Sequence, residues 1–406
     1  MIDIRLVRSE PEELRRALAR KGAGELLDDL IEADEAWRQL TSRVDELRAR
    51  TKLKGKPGPE ELAALQQVKV DLQETEAALT EADKRRAELL DRVPNPPAPD
   101  VPDGTSEEDA VEVKRVGEPA DFAFEVRDHV ELGGFDLERG ARLSGSRFAY
   151  RRGAIALVEL ALYRFALAKV MDHGFEPVLP PVLVRAEAMY GTGFLPTDEV
   201  NIYRVERDDL YLTGTSEVAL ASIHQDEMLD GRELPARYAG YSTCFRREAG
   251  AAGRETRGAF RVHQFDKVEM FAFTDPELSP EEHERILSIE EEIVQSLDLA
   301  YRVVCTAAGD LGPSAAKKYD IEAWFPSQER YREITSCSNT TDYQARRLNV
   351  RYRREDRSLG LVHTLNGTAM TARVLIALVE TRQQADGSVD VPAVLADYGA
   401  PQTFKY

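Results

Sequence analysis

The sequence predicts an α+β protein, in which an antiparallel sheet flanked by helices follows an N-terminal antiparallel α-helical coiled-coil hairpin. Two observations support this fold class. Apolar residues near the N-terminus recur in alternating steps of three and four, which is the spacing of a coiled-coil seam. Beyond residue 120, short β-rich runs mix with helical stretches in an order that does not form regular βαβ units.

The hairpin is predicted from two seams that a helix breaker separates. The first seam contains Leu26, Leu30, Ala33, Trp37, Leu40, Val44 and Leu47, and the second contains Leu65, Val68, Leu72, Thr75, Leu79, Ala82, Arg86, Leu89 and Val93. Residues 52–59 hold two Gly and two Pro and cannot continue a helix. At a rise of about 1.5 Å per residue, residues 26–51 predict an arm of roughly 40 Å. Such an arm is either an oligomerisation device or a lever that reaches a large ligand.

A domain boundary is expected where the segment VPNPPAPDVPDGTSEED concentrates Pro and acidic residues, because X-Pro steps favour extended chain over helix. We therefore predict an N-terminal domain over residues 1–95, a linker over 96–120 and a globular domain over 121–406. The globular domain is expected to contain strands at 210–212, 267–273, 301–305 and 361–365, and helices at 155–171, 280–297 and 371–382.

The bulk composition indicates an ordinary globular protein of 406 residues, with 42% hydrophobic and 31% charged residues. The sequence contains no signal-like N-terminus and no apolar run near the roughly 20 residues that span a bilayer, so we expect a cytoplasmic protein without a membrane partner. Cys244, Cys305 and Cys337 are far apart and lack paired spacing. They argue against a disulfide framework and against a thiolate zinc site.

The charge distribution singles out one basic run. The formal net charge of −19 opposes binding to nucleic acid, but the run RARTKLKGK carries five basic residues and no acidic one. These five residues are Arg48, Arg50, Lys52, Lys54 and Lys56. They form either a solvated turn or a nucleic-acid contact at the end of the hairpin.

A second arginine-rich segment, residues 244–273, points to a phosphate ligand. Five arginines fall within 16 residues there: Arg246, Arg247, Arg254, Arg257 and Arg261. A guanidinium fork matches phosphate oxygens, so a strand pair joined by this loop would suit a polyphosphate. The alternative is a solvated, salt-bridged loop. Because the chain has neither a P-loop nor a G-x-G-x-x-G motif, it would hold a nucleotide differently from the common nucleotide folds.

Several motifs carry a family resemblance. The runs FRREAG, TRG and FRVHQFDKVE resemble the second signature motif of seryl-tRNA synthetases, and HTLNGTAMTAR resembles the third. The runs GTGFLP, TSEVAL, AAGDLGPSAAKKYDIEAW and YREITSCSNTTDYQARRLNVRYR also match, so the resemblance covers nearly the whole chain and includes the arm. It implies a class II synthetase catalytic domain, ATP and L-serine as substrates, Mg²⁺, a homodimer, and an arm that binds tRNA(Ser) and also tRNA(Sec).

The resemblance assigns the ATP-binding residues by position. They are Arg246, Arg247, Glu248, Arg261, Val262, Phe265, Glu333, Ile334, Thr335, Ser336 and Arg373, of which Arg246, Glu333 and Arg373 are catalytic. Arg246 would contact the α-phosphate and the substrate carboxylate, Glu248 the adenine amino group, and Arg261 the bent polyphosphate. Phe265 and Arg373 would lie on opposite faces of the adenine, and Arg373 would also lie near the γ-phosphate. Glu333 and Ser336 would bind Mg²⁺, which prefers oxygen ligands and water.

The resemblance also assigns a serine site of Thr215, Ser216, Glu217, Arg246, Glu269, Asn366 and Thr368. Thr215 and Glu217 would bind the ammonium group, and Glu269 and Thr368 the hydroxyl. A buried site that hydrogen-bonds a hydroxyl rejects alanine, because its own polar groups would be left unpaired.

Three alternatives to a housekeeping seryl-tRNA synthetase remain. The hairpin is shorter than is usual in the family by a turn or two in each helix. The shorter arm could change which tRNA is selected, as expected if the protein is a second copy that serves a specialised pathway. A class II-like amino-acid ligase that loads a carrier protein or another acceptor would share the core but lack the hairpin. A catalytically inactive tRNA-binding module would not need all the chemical residues that this chain keeps.

Overall fold

The computed structural model describes residues 1–52, 58–249 and 258–406. The chain forms two compact units, Met1–Pro96 and Pro97–Tyr406. Four of the basic residues singled out above, Lys54, Lys56, Arg254 and Arg257, lie outside the described residues.

The described part of the first unit contains four helices: α1 (Ile4–Ser9), α2 (Pro11–Ala19), α3 (Gly24–Thr51) and α4 (Pro59–Arg92). The long helices α3 and α4 pack along each other and confirm the predicted hairpin. Their contact buries residues from both predicted seams: Leu30, Ala33, Val44, Leu47, Val68 and Leu89. Nearby residues also account for the start of α4. Pro59 occupies its first turn, and the Glu61 carboxylate accepts a hydrogen bond from the Gly58 amide at 2.7 Å.

An ion cluster around the buried Asp34 carboxylate ties α1 to the hairpin. Asp34 on α3 accepts two hydrogen bonds from Arg8 of α1, at 2.7 and 2.8 Å, and a longer one from Arg86 of α4 at 3.4 Å. The Arg86 guanidinium also lies 3.8 Å from the centre of the Trp37 ring. Such a cluster specifies the mutual register of three helices, because a buried carboxylate without its cations is costly.

The described part of the second unit contains the remaining elements. Its helices are α5 (Leu137–Ser144), α6 (Ala154–Asp172), α7 (Ala186–Thr192), α8 (Glu217–Ala221), α9 (Ser279–Ser296), α10 (Tyr343–Leu348) and α11 (Ala372–Thr381). Its longer strands are β1 (Val111–Val116), β9 (Ala236–Phe245), β10 (Gln264–Thr274), β11 (Tyr301–Cys305), β12 (Lys317–Phe325), β13 (Arg330–Asn339) and β16 (His363–Thr371). The short strands are β2 (Phe135–Asp136), β3 (Tyr150–Arg151), β4 (Glu176–Val178), β5 (Leu183–Val184), β6 (Tyr203–Val205), β7 (Leu210–Leu212), β8 (Met228–Asp230), β14 (Arg351–Arg353), β15 (Leu359–Leu361), β17 (Val389–Asp390) and β18 (Thr403–Phe404).

An eight-stranded sheet forms the centre of this unit, in the order β1-β11-β12-β13-β16-β10-β9-β4. Its neighbouring strands are antiparallel except for the parallel pair of β4 and β9. The main hydrophobic core lies between this sheet and the helices α6, α9 and α11. The predicted antiparallel sheet flanked by helices is therefore confirmed.

Two local expectations differ from the structure. The strand expected at 361–365 is divided: β15 ends at Leu361, and β16 begins at His363 and belongs to another sheet. Part of the expected linker is a strand, since β1 pairs with β11 at the edge of the large sheet. The sequence of β1, VEVKRV, is charged and largely exposed, as is common for an edge strand. For the same reason its composition resembles that of a linker, and the sequence pattern did not predict it as a strand. Among the described residues, no helix is both long and apolar enough to cross a membrane.

Candidate active site

The arginine-rich motif residues meet in a cavity of about 650 Å³ above the centre of the large sheet. The cavity is lined by residues from β10, β13, β16 and α11 and from the segment before β10: Arg246, Glu248, Ala259, Phe260, Arg261, Val262, Phe265, Lys267, Glu333, Ile334, Thr335, Ser336, Thr368, Thr371, Ala372 and Arg373. A second cavity of about 970 Å³ shares Arg246, Glu248, Arg261, Glu333 and Arg373. One connected space thus contains most of the predicted ATP-binding residues.

A β-bulge in β13 brings Glu333 and Ser336 to the same face of the sheet. Residues three apart in a regular strand point to opposite faces. Here Glu333 pairs with Glu322 and Thr335 with Ile321, so Ile334 is the extra residue that restores the common face.

A second bulge does the same for β16. Glu269 of β10 pairs with Thr368, and Val268 pairs with Met370, so Ala369 is the extra residue. Lys267 and Glu269, two apart in β10, share a face of the strand, and Lys267 and Thr368 line the cavity. Lys267 forms an ion pair with Glu269, and the Thr368 hydroxyl donates to Glu269 Oε2 at 3.2 Å. These groups form a buried polar cluster in which Glu269 is 1% and Lys267 6% exposed.

Backbone pairing positions Arg246 beyond the end of β9. Its amide donates to the His263 carbonyl at 3.0 Å, and His263 Nδ1 donates to the Arg246 carbonyl at 2.8 Å. The Arg246 side chain donates through Nε to the Gly214 carbonyl at 3.1 Å and lies 5.3 Å from the centre of the Phe265 ring. His263 therefore holds the chain that carries this arginine.

The other cavity arginines are paired with acidic residues. Arg261 donates to Glu248 at 2.9 Å, and Arg373 donates to the Glu333 carboxylate at 2.9 Å and to the Glu333 carbonyl at 3.2 Å. The Arg373 guanidinium lies 4.6 Å from the centre of the Phe260 ring. Arg261 and Glu248 are therefore joined as an ion pair in the cavity.

The Glu333 carboxyl lies in a field of positive charge. Burial alone would raise its pKa, but the charges of Lys318 and then Arg373 outweigh burial and lower that pKa below its usual range. Lys318 is itself paired with Asp320 at 2.7 Å. An ionised Glu333 beside the Ser336 hydroxyl offers the oxygen donors that Mg²⁺ prefers, so these residues fit that ion.

Five predicted serine-binding residues lie outside the lining of both cavities: Thr215, Ser216, Glu217, Glu269 and Asn366. Asn366 of β16 donates to Glu217 Oε1 at 3.1 Å, and Thr215 and Ser216 are buried before α8. Burial, followed by the negative charge of Glu269, raises the pKa of the Glu217 carboxyl to about 7. Glu269 is the carboxylate expected at the serine hydroxyl, so its charge acts on the carboxylate expected at the serine ammonium group.

Four predicted residues lie elsewhere in the described chain. The Arg247 guanidinium lies 6.0 Å from the centre of the Tyr203 ring and lines neither cavity. On the arm, Arg48 donates to Glu76 of α4 at 2.8 Å, and Arg50 and Lys52 are exposed at the end of α3.

Three residues of the site were not predicted from the sequence. Lys267 and Phe260 line the cavity, and the charge of Lys318 lowers the pKa of Glu333. Lys267 could have been found, because the two-residue period of a strand places it on one face with Phe265 and Glu269. Lys318 acts on Glu333 from a neighbouring strand across the bulge, and no local pattern indicates it.

Two family models match this chain. The model described as "tRNA synthetase class II core domain (G, H, P, S and T)" matches residues 202–382, and that described as "Seryl-tRNA synthetase N-terminal domain" matches residues 1–97. A serine–tRNA ligase from Streptomyces coelicolor is 49% identical over 98% of this chain and 97% of the relative. This chain belongs to the seryl-tRNA synthetases.

Further relatives agree with this assignment. A serine–tRNA ligase from Micrococcus luteus is 48% identical over the full length of both chains. The crystal structure of the Pyrococcus horikoshii seryl-tRNA synthetase complexed with ATP superposes with a TM-score of 0.94, at 40% identity, over 100% of this synthetase and 99% of that chain. The Naegleria fowleri enzyme in complex with AMP superposes with a TM-score of 0.90 at 34% identity over 100% and 99%. The comparisons support a tRNA ligase rather than a carrier-protein ligase or an inactive module.

Proposed function

We propose that this synthetase activates L-serine with ATP in the cavity above β10, β13 and β16, releases pyrophosphate, and transfers serine from the adenylate to the 3′-terminal adenosine of tRNA. The observation that carries the proposal is the proximity of two chemically different sets of residues. Arg246, Arg261 and Arg373 line the cavity, and the charges of Arg246 and of the β10 carboxylate Glu269 both act on the carboxyl of Glu217, the first residue of α8.

The arginines would supply charge stabilisation during adenylate formation. Attack of a carboxylate on an α-phosphate develops negative charge on the phosphoryl oxygens, which preorganised guanidinium groups stabilise. Arg246 is suited to this role because its backbone is held by His263 and its Nε by Gly214. Arg261 and Arg373 would bind the remaining phosphates from their positions beside Glu248 and Glu333.

The remaining ATP contacts follow from the lining. Phe265 offers a ring face for the adenine, Glu248 an acceptor for its amino group, and Val262, Ile334 and Thr335 complete the wall. Glu333 and Ser336 would hold Mg²⁺, which neutralises phosphate charge when bound. Arg247 would reach ATP only if its side chain left Tyr203.

Serine recognition is assigned to two adjacent carboxylates. Glu217, supported by Asn366 and flanked by Thr215 and Ser216, would bind the ammonium group. Glu269 would accept a hydrogen bond from the serine hydroxyl, with Thr368 as its neighbour. Since Lys267 neutralises Glu269 within the cluster, the hydroxyl site is electrically balanced before serine arrives.

The arm is proposed to bind tRNA(Ser) through its basic tip, although the chain as a whole is acidic. Arg48, Arg50, Lys52, Lys54 and Lys56 would contact phosphates. Replacing all five with Gln should raise the KM for tRNA and weaken its salt dependence, while serine-dependent ATP–pyrophosphate exchange stays within about twofold. An equal loss of both activities would contradict this division.

A homodimer is proposed through the exposed apolar face of α6 and its surroundings. Leu157 and Leu160 lie on one face of α6 and are 51% and 54% exposed, and nearby Leu143 is 70% exposed. Contiguous exposed apolar residues of this kind mark protein interfaces. Leu157→Lys with Leu160→Lys should convert a dimer to a monomer in light scattering, and a monomeric wild-type protein would refute the proposal.

The activation site is tested by Arg246→Lys, which keeps the charge but loses the planar fork. Exchange with serine should fall by about 100-fold or more. Arg142→Lys is the matched control, because Arg142 is exposed and, within the described residues, forms its ion pair with Glu138 in the same helix. Normal exchange by the Arg246 variant, or exchange without serine dependence in the wild type, would refute the assignment.

A further inference from the structure

We propose that Gln344 is a positioning residue for serine recognition, which holds one oxygen of the Glu217 carboxylate and leaves the other for the substrate ammonium group. The proposal rests on the proposed function of Glu217 and adds a residue outside the motif assignments above. Gln344 lies on α10, far along the chain from Glu217 on α8. It is fully buried and is not among the residues that line the ATP cavity.

The hydrogen bonds of Gln344 fix the orientation of its amide. Nε2 donates to Glu217 Oε1 at 2.7 Å and to the Thr192 carbonyl at 3.4 Å; the carbonyl only accepts, as does the carboxylate in its ionised form. Oε1 accepts from the Thr364 hydroxyl at 2.9 Å. Thr340 in turn hydrogen-bonds to Thr364. In a flipped amide, Gln344 Oε1 would face the Thr192 carbonyl and the Glu217 carboxylate, which are also acceptors. The network therefore favours one orientation.

The carboxylate is held from two sides through a single oxygen. Gln344 and Asn366 both donate to Oε1 of Glu217, at 2.7 and 3.1 Å. In the described part of the chain, no hydrogen bond to Oε2 accompanies them. This arrangement orients the second oxygen for a ligand and restrains rotation of the side chain, which lowers the entropy cost of binding a cation.

The helix that carries Gln344 is anchored independently of the site. Arg347, one turn further along α10, donates to the Tyr190 carbonyl at 2.8 Å and to the Leu195 carbonyl at 3.2 Å. Its guanidinium lies 4.6 Å from the centres of both the Tyr190 and Tyr343 rings. The donor to Glu217 therefore comes from a rigid support, as a preorganised site requires.

Gln344 also acts on the charge state of Glu217. A hydrogen bond from a neutral donor stabilises the ionised carboxylate and lowers its pKa, against burial and Glu269, which raise it. The other charged groups that act on Glu217 are Lys267 on β10 and Arg246, both of which lower its pKa. Removing Gln344 should therefore leave Glu217 protonated up to a higher pH, in the form that cannot pair with an ammonium group.

The test compares Gln344→Met with wild type in serine-dependent exchange across pH 6 to 9. Met has a similar length and no donor. We expect the KM for serine to rise about 10- to 100-fold, the KM for ATP to change less than about twofold, and the acidic limb of kcat/KM for serine to move to higher pH. Gln344→Glu should move that limb further, because two carboxylates would then share one site.

The matched control is Gln383→Met, since Gln383 is an equally buried glutamine whose amide bonds to Arg127 and to the Glu380 carbonyl. It should lower stability without moving the acidic limb. If Gln344→Met does not fold, Thr364→Val removes the support of the amide and should shift serine KM and the limb in the same direction.

An unchanged limb and an unchanged serine KM in a folded Gln344→Met protein would overturn the positioning role. A wild-type protein without serine-dependent exchange would instead overturn the proposed function, so the two failures are distinguishable.

Discussion

Lys267→Met should destabilise the second unit strongly, because it removes the cation from a buried ion pair. Lys267 and Glu269 are 6% and 1% exposed and contact each other directly. Breaking a buried pair by removing one partner costs about 3–5 kcal/mol, since the remaining charge loses its compensation. We expect a loss of this size in the free energy of unfolding at pH 7, measured by denaturant titration.

Two comparisons isolate the cause of that loss. Lys267→Met combined with Glu269→Gln removes both charges and should recover at least about 2 kcal/mol relative to the single variant. Lys169→Met breaks the half-exposed pair with Glu292, at 2.7 Å, and should cost less than about 1 kcal/mol. A Lys267→Met protein as stable as the Lys169→Met protein, or a double variant less stable than both single variants, would refute the reasoning.

Three further predictions concern other parts of the chain. Because burial raises the folded-state pKa of Glu217 to about 7, the native state binds the extra proton, and the free energy of unfolding should fall as pH rises from about 4 to 7. Glu217→Gln should remove that part of the slope in denaturant titrations at several pH values, and an unchanged slope would contradict it. Gly367→Ala would place a methyl group 2.3 Å from Ile286. We expect the free energy of unfolding to fall by about 1–3 kcal/mol, and the KM for serine to rise because β16 is displaced. A melting temperature equal to that of wild type would show that the strand has room for the methyl group. Asp34→Asn should destabilise the hairpin by about 1–3 kcal/mol by weakening its bonds to Arg8, with the loss measured by circular dichroism at pH 7; a melting curve identical to that of wild type would exclude the ion cluster as a stabiliser.

The pH dependence of the Asp34 effect has a definite sign. Burial raises the pKa of this carboxyl, but the bonds and charges of Arg8 and Arg86 prevail and lower it. Its contribution is therefore present above the unfolded-state pKa and is lost as pH falls through the folded-state pKa. The wild-type and Asp34→Asn hairpins should become closer in stability under acidic conditions.

The site was only partly predictable, because some of its residues are placed by short-range sequence patterns and others by contacts between distant segments. The period of two in β10 indicates that Phe265, Lys267 and Glu269 share a face, and the motif resemblance selects two of them. Arg247 shares the motif but contacts Tyr203, and the pattern of neighbouring arginines does not distinguish it from Arg246. The roles of all these residues in catalysis stay predictions until the substitutions are measured.

The sequence alone determined the elements whose signals are local. The two seams of the hairpin repeat every three or four residues, and apolar burial along one helix face follows directly from that spacing. Only the tertiary structure decided which distant groups meet. The bulges at Ile334 and Ala369 change the face of every later residue in their strands, and nothing in a two-residue period marks them. The pairing of Gln344 with Glu217 depends on the packing of α10 against α7 and α8, because a contact between distant segments is set by how whole elements pack.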